Sequence, residues 1–292
     1  GATVPKRNTG ELKTNGWELS FKWKDQLSNG IRYDIGLVLS DYQSEVIKFS
    51  GNPNKLLSSL YDGMKMGEIW GYETVGILQE SDFTVDENGK YTLIGPSQTK
   101  IQSTIYPGDV RYADLDGDGE ITKGDETVDN PGDRKIIGNS TPRFHYGITG
   151  NISWKNFDLN IFFQGIAKRD VWISDNVFWG GSGTAGNWEM YNNSWTPEHT
   201  DAKYPMYAGR ISSIQQTGYL FNGAYLRLKT LALGYTLPRE WTNKVKLSTV
   251  RLSLSGYNLF EISQIPDLYD PDQISSSYPM MRSVAFGLQV GF

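Results

Sequence analysis

Apolar and polar residues alternate one for one along segment after segment of this chain, for longer than strands of soluble proteins usually run. A period of two puts every second side chain on one face of an extended strand. At the C-terminus Val284, Phe286, Leu288, Val290 and Phe292 share one face, and Ala285, Gly287, Gln289 and Gly291 share the other. Phe144, Tyr146, Ile148, Ile152 and Trp154 oppose Arg143, His145, Thr149, Asn151, Ser153 and Lys155. Beyond a tight Lys155–Asn156 turn, Phe157, Leu159, Ile161 and Phe163 oppose Asp158, Asn160 and Gln164. Near the start, Trp17, Leu19, Phe21 and Trp23 oppose Glu18, Ser20, Lys22 and Lys24. The hairpin signal Asn29–Gly30 then leads into Ile31, Tyr33, Ile35, Leu37 and Leu39.

Three further segments read as strands: Gly67 to Leu78, Tyr219 to Leu237 and Val245 to Phe260. The second changes phase between Leu226, Leu228 and Leu231, Leu233, Tyr235, so a bulge is expected near Thr230. The total is roughly eight strands of bilayer-spanning length, which makes the expected fold all-β and antiparallel. Connections differ sharply in length. Lys155–Asn156 and Pro238–Lys244 are short, whereas residues 79–142 and 167–218 form connections of about fifty residues or more. Short turns on one side and long loops on the other characterise outer-membrane barrels. With the terminal Phe292 on the periplasmic side, Asn29–Gly30 becomes a short outer turn and Ser40 to Met66 a long inner excursion.

A water-soluble β-sandwich also alternates, but its strands are shorter and its apolar face meets a second sheet. Composition leaves both open. Mean hydropathy is −0.46, a value that a barrel with a polar lumen and polar loops can have. No run approaches the roughly 18 apolar residues of a membrane helix. There is no cysteine, which removes disulfides and thiolate metal sites, and the net charge of −5 gives no electrostatic reason to expect nucleic acid. No secretory leader precedes Gly1–Thr9, which reads as mid-chain sequence, so a fragment is expected.

The most specific motif is Asp114-Leu-Asp116-Gly-Asp118-Gly119-Glu120-Ile121-Thr122-Lys-Gly-Asp125. Carboxylates at loop positions 1, 3 and 5 converge on a hard cation, and glycine at 6 allows the sharp turn. The Glu120 carbonyl serves position 7, Thr122 position 9 and Asp125 position 12, so Ca²⁺ in a structural role is expected. No amphipathic helix flanks the loop, which argues against calcium signalling. Neither histidine, His145 nor His199, has a motif partner, and no nucleophile elbow, zinc-binding His pair or P-loop occurs, so no enzyme is expected. The 167–218 connection concentrates Trp172, Phe178, Trp179, Trp188, Tyr191, Trp195, Tyr204 and Tyr207, interleaved with Gly180, Gly181, Gly183 and Gly186. These rings either contact substrate, with Trp172, Trp179, Trp188 and Trp195 as candidates, or form the core that a long ordered loop needs.

Taken in order, several motifs resemble the SusC/RagA family of TonB-dependent outer-membrane transporters of Bacteroidetes. They are Pro107-Gly108-Asp109 through Gly119, Ile137-Gly138-Asn-Ser-Thr-Pro142, Phe144-His-Tyr-Gly147 and Phe157 through Gly165. Tyr225-Leu226-Arg227-Leu-Lys, Gly256-Tyr-Asn-Leu-Phe260 and Phe292 follow, so the resemblance runs from about Gly16 to the end. It implies that residues 1–292 are the C-terminal portion of a 22-stranded transmembrane barrel whose lumen is plugged by an upstream domain. It further implies import of oligosaccharides or peptides, a SusD-like surface lipoprotein as lid, and TonB acting through an upstream segment. Asp114, Asp116, Asp118 and Asp125 fall on the family's acidic loop, and Phe292 on its assembly signal. The alternatives are a secreted, calcium-stabilised β-sandwich that binds glycans and, less favoured, a glycan-degrading enzyme.

Overall fold

The structure, a computed structural model, describes residues 8–179, 188–207, 214–274 and 280–292. Its dominant element is a seven-stranded sheet in which sequence neighbours are also spatial neighbours. The strands are β1 (Gly10–Gln26), β2 (Arg32–Phe49), β3 (Arg143–Trp154), β4 (Phe157–Lys168), β5 (Tyr225–Thr236), β6 (Thr249–Ser263) and β7 (Ser283–Gly291). The shortest has 9 residues and the longest 18, so each reaches the roughly 9–11 residues of a tilted membrane-spanning strand. β1 and β7 are free edges among the described residues.

The registers turn the alternation of single strands into faces of a sheet. Tyr33, Ile152, Leu159, Leu233, Leu254 and Phe286 lie side by side across six strands. The adjacent row, pointing the other way, is Asp34, Asn151, Asn160, Ala232, Ser255 and Ala285. One face is therefore apolar row after row, and the other is small and hydrophilic. Polar-face groups satisfy one another: Asn151 donates to Asp34 at 2.9 Å, Asn160 to Asn151 at 2.6 Å, and Arg251 holds Asp158 with two bonds of 2.5 and 2.7 Å. The apolar face stays open, with Leu254 50% and Phe286 72% exposed. A contiguous greasy surface of this extent exceeds what soluble monomers leave uncovered.

Close strand contact explains the glycine that ends the Phe157–Gly165 motif. The Tyr146 hydroxyl crosses Gly165 to donate to the Tyr225 carbonyl at 2.9 Å. A Cβ on Gly165 would lie 2.1 Å from that carbonyl and 2.4 Å from the hydroxyl, so only glycine lets the tyrosine pass.

Two expectations are corrected. Gly67 to Leu78 is not a strand of the sheet. It forms Glu68–Tyr72 and Thr74–Ile77, which pair with Arg134–Asn139 and Val110–Tyr112. Its apolar residues do not keep one parity, and Ile69, Tyr72 and Leu78 are buried within the connection instead. The count thus falls from eight strands to seven, which moves the turns. β2 continues to Phe49, so no inner excursion spans Ser40 to Met66. The Asn29–Gly30 turn now shares one end of the sheet with the β3–β4 and β5–β6 turns, and all three long connections leave from the other end. The expected phase change is present: Thr230 pairs with Phe162 and Leu228 with Phe163, which leaves Lys229 bulged.

By chain contacts the protein divides into two units. The first holds Asn15–Gln43, Pro142–Arg169 and the described part of Asn222–Phe292, and so most of the sheet. The second holds described residues of the long connections and has its own small core, with Leu78, Phe83 and Ile105 packed against Tyr91 and Leu93. The buried Gln98 side chain acts there as a strand partner. It donates to the Val110 carbonyl at 2.9 Å and accepts from the Tyr112 amide at 2.7 Å.

Candidate functional site

The acidic loop folds as a chain of side chains capping backbone amides. Asp114 accepts from the amides of Gly117 at 2.7 Å and Gly119 at 2.9 Å; Asp116 accepts from Asp118, and Asp118 from Glu120. Gly119 at position 6 has φ +85°, the left-handed turn its place in the motif requires. The next residue but one, Ile121, is fully buried, and its amide donates to the Ser97 carbonyl at 2.7 Å, which anchors the loop.

Three carboxylates meet: Asp114, Asp116 and Asp133 each offer an oxygen, all within 4.8 Å of one another. Asp133 is fully buried and accepts from the amides of Leu115 at 2.8 Å and Thr122 at 2.7 Å. It lies eight residues beyond the position expected to close the loop. Asp125, expected there, instead accepts from the Asn130 side chain at 2.9 Å. The Asp118 carboxylate is likewise outside the trio, and the Thr122 hydroxyl accepts from the Gly124 amide at 3.2 Å. Backbone packing brings Asp133 in: Gly124 and Gly132 approach so closely that a Cβ on Gly124 would sit 2.4 Å from the Gly132 nitrogen.

Like charges are crowded together in this loop. On Asp116, the bond from the Asp118 amide lowers the pKa, but desolvation and the carboxylates of Asp118, Asp133 and Asp114 outweigh it and hold it above the ordinary value.

In the aromatic connection the rings divide. Trp179 is 2% exposed; its indole donates to the Ile173 carbonyl at 2.6 Å and packs against Trp172, Phe178 and Tyr219 at 5.1–5.6 Å. Trp195 is 1% exposed and donates to Gln79 at 2.9 Å. Phe178 and Tyr204 are fully buried beside each other. These rings form the connection's core. Trp188 stands apart at 75% exposure, edge-on to Tyr191, which is in turn edge-on to Tyr207. Of the four candidate tryptophans, Trp188 alone presents an open face, and Trp172 is half-buried. Gly180, Gly181, Gly183 and Gly186 lie outside the described residues.

The histidines form no catalytic pair. His145 stacks on Tyr42 with its Nε2 buried, and His199 faces Asp201 at 3.6 Å on the surface.

Known proteins resemble the chain along its whole length. TonB-dependent receptor P3 of Formosa agariphila is 30% identical over 319 residues, which cover 100% of this chain and 30% of that protein. TonB-dependent receptor P26 of the same organism is 23% identical over 99% of the chain. The chain thus spans about a third of the length of these relatives. Among solved structures, a chain of the RagAB peptide transporter matches with a TM-score of 0.66 at 21% identity, over 97% of this chain and 29% of that one. The RagAB importer in its closed-closed state matches with a TM-score of 0.63. No protein-family model matches the sequence.

Proposed function

From the homology of this chain to the TonB-dependent receptors, we propose that it is wall and outer loops of an outer-membrane β-barrel that imports a large nutrient. The observation that carries this reading is the pair of opposed rows in the sheet. Tyr33 through Phe286 form an uninterrupted apolar band suited to hydrocarbon, and Asp34 through Ala285 a hydrophilic lining suited to a solvated passage. The free edges β1 and β7 then pair with further strands of the whole protein, because unpaired backbone groups cannot face lipid. Import of an oligosaccharide or a peptide belongs to this proposal, as does a SusD-like lipoprotein lid with TonB as energy source. The RagAB transporter, which shares the fold, carries peptides.

The test uses the full-length protein. It is expected to sediment with the outer membrane, and brominated lipids are expected to quench the fluorescence of Trp17, Trp23 and Trp154, all about half exposed on the sheet. A full-length protein that stays monomeric in buffer without detergent would overturn the barrel.

The acidic loop we assign to Ca²⁺ as a structural ion, held by Asp114 and Asp116 with Asp133. Hard oxygen ligands and mutual repulsion suit a divalent cation. Calcium is expected to raise the thermal midpoint of the full-length protein. Asp133→Ala should abolish that gain and the bound metal, whereas Asp125→Ala should spare both. The affinity should fall as pH drops through the raised pKa of Asp116, because protons then compete for that oxygen. Metal analysis showing equal content in Asp133→Ala and the parent would remove the site.

A further inference from the structure

The chain that leaves β6 does not run out into solvent. Arg227 on β5 is 1% exposed, yet it meets Glu261 at 2.5 Å, Asp270 at 2.7 Å and Asp272 at 3.3 Å. The register places Arg227 on the hydrophilic face. It pairs with Gln164, which shares its side of β4 with Asp158 and Asn160, and with Glu261 on β6. Asp270 and Asp272 lie beyond the end of β6, so the segment that carries them folds back over that face. Lys229, the bulged residue, adds a contact to Asp272 at 3.4 Å, and the Tyr225 hydroxyl bonds to the same carboxylate.

Asp270 also shapes the segment. Its carboxylate accepts from the amides of Asp272 at 2.8 Å and Met280 at 3.1 Å, while Ile265 and Tyr269 are buried. Burial pushes the Asp270 pKa up, but Arg227 and the two amides outweigh it and hold the carboxyl below its ordinary value. The sign follows: the attachment is complete at neutral and mildly acidic pH and is lost only as pH falls below the usual aspartate range. An exposed loop tip gains little from ion pairs. A guanidinium shut away from water with three carboxylates is different, because lifting the segment would take two of them, Asp270 and Asp272, away from a buried charge and leave it only Glu261 on β6.

We propose that residues 265–273 are a fixed ledge on the hydrophilic face, at the end where the long connections leave, and that Arg227 is the positioning residue holding it there. This rests on the barrel reading above: if that face lines the passage, the ledge narrows its mouth and limits the width of cargo that enters.

The test is size-graded labelling of purified full-length protein in detergent. Leu268 is 51% exposed on the segment, and this chain has no cysteine of its own. With Leu268→Cys, a small maleimide is expected to react quickly and a large polyethylene-glycol maleimide many-fold more slowly, each corrected for the protein without that substitution. Adding Asp270→Asn and Asp272→Asn should release the ledge and bring the two rates together. Equal rates before release would overturn the ledge, as would an unchanged ratio after release in protein that still shows the heat-dependent gel shift of a folded barrel. If the double variant does not assemble, Asp272→Asn alone decides by the same ratio. Absence of the gel shift in the parent would instead count against the barrel reading, which keeps the two failures apart.

Discussion

Arginine in place of Leu254 is expected to destabilise the folded protein in lipid vesicles by up to about 2–4 kcal/mol, the cost of a cation on the lipid face at the bilayer midplane. Leu254 sits within the apolar row, between Leu233 and Phe286, and is half exposed. Its sequence neighbour Ser255 lies between Ala232 and Ala285 on the hydrophilic side. Arginine there should change stability by only about 0.5 kcal/mol, as for an ordinary wetted position. The pair of variants is informative because one residue separates them and only the facing medium differs. Urea titration of the full-length protein refolded into vesicles measures both. A neutral Leu254→Arg would mean that the greasy face meets water, and the assignment of that face to hydrocarbon would fall.

Arg227→Met is expected to cost about 3–5 kcal/mol, the range for removing one partner of a buried ionic cluster. Three carboxylates, Glu261, Asp270 and Asp272, would lose their shared cation, and of these Asp270 is the one most shut away from water. Lysine at the same position keeps the charge but cannot span carboxylates with a planar fork. Arg227→Lys should therefore fall between parent and Arg227→Met in the same titration. The expected order is parent, lysine, methionine; equal stability of methionine and parent would show that the cluster contributes no net hold on the segment.

The two predictions differ in how far the sequence alone could have led to them. Leu254 and Ser255 are assigned to faces by counting every second residue, and the structure keeps those faces in register over six strands. Alternation is a local property with a physical origin in the pleat, so it survives without knowledge of partners. The same counting located the bulge to within one residue, because an extra residue necessarily reverses the phase of everything after it. It failed at Gly67 to Leu78, where aromatics without a fixed parity looked like a strand of the sheet and proved to be two short strands inside a long connection.

The acidic loop shows the other limit. Asp114, Asp116 and Gly119 took their places from spacing, since six consecutive residues fix a turn. Asp133 could not be read that way: it reaches the loop through the contact of Gly124 with Gly132, a meeting of backbones that no ligand spacing encodes. Arg227 was visible only as part of a motif, because its partners lie 34 to 45 residues along the chain. The aromatic connection was legible as either a core or a binding surface, and burial separated Trp179 and Trp195 from Trp188. What sequence determined by itself was the two-sidedness of the strands, since it follows from the period of an extended backbone. Which distant carboxylate closes the loop, and which connection folds back onto the sheet, were decided by tertiary structure, because charge and close packing act through space between residues whose separation along the chain carries no signal.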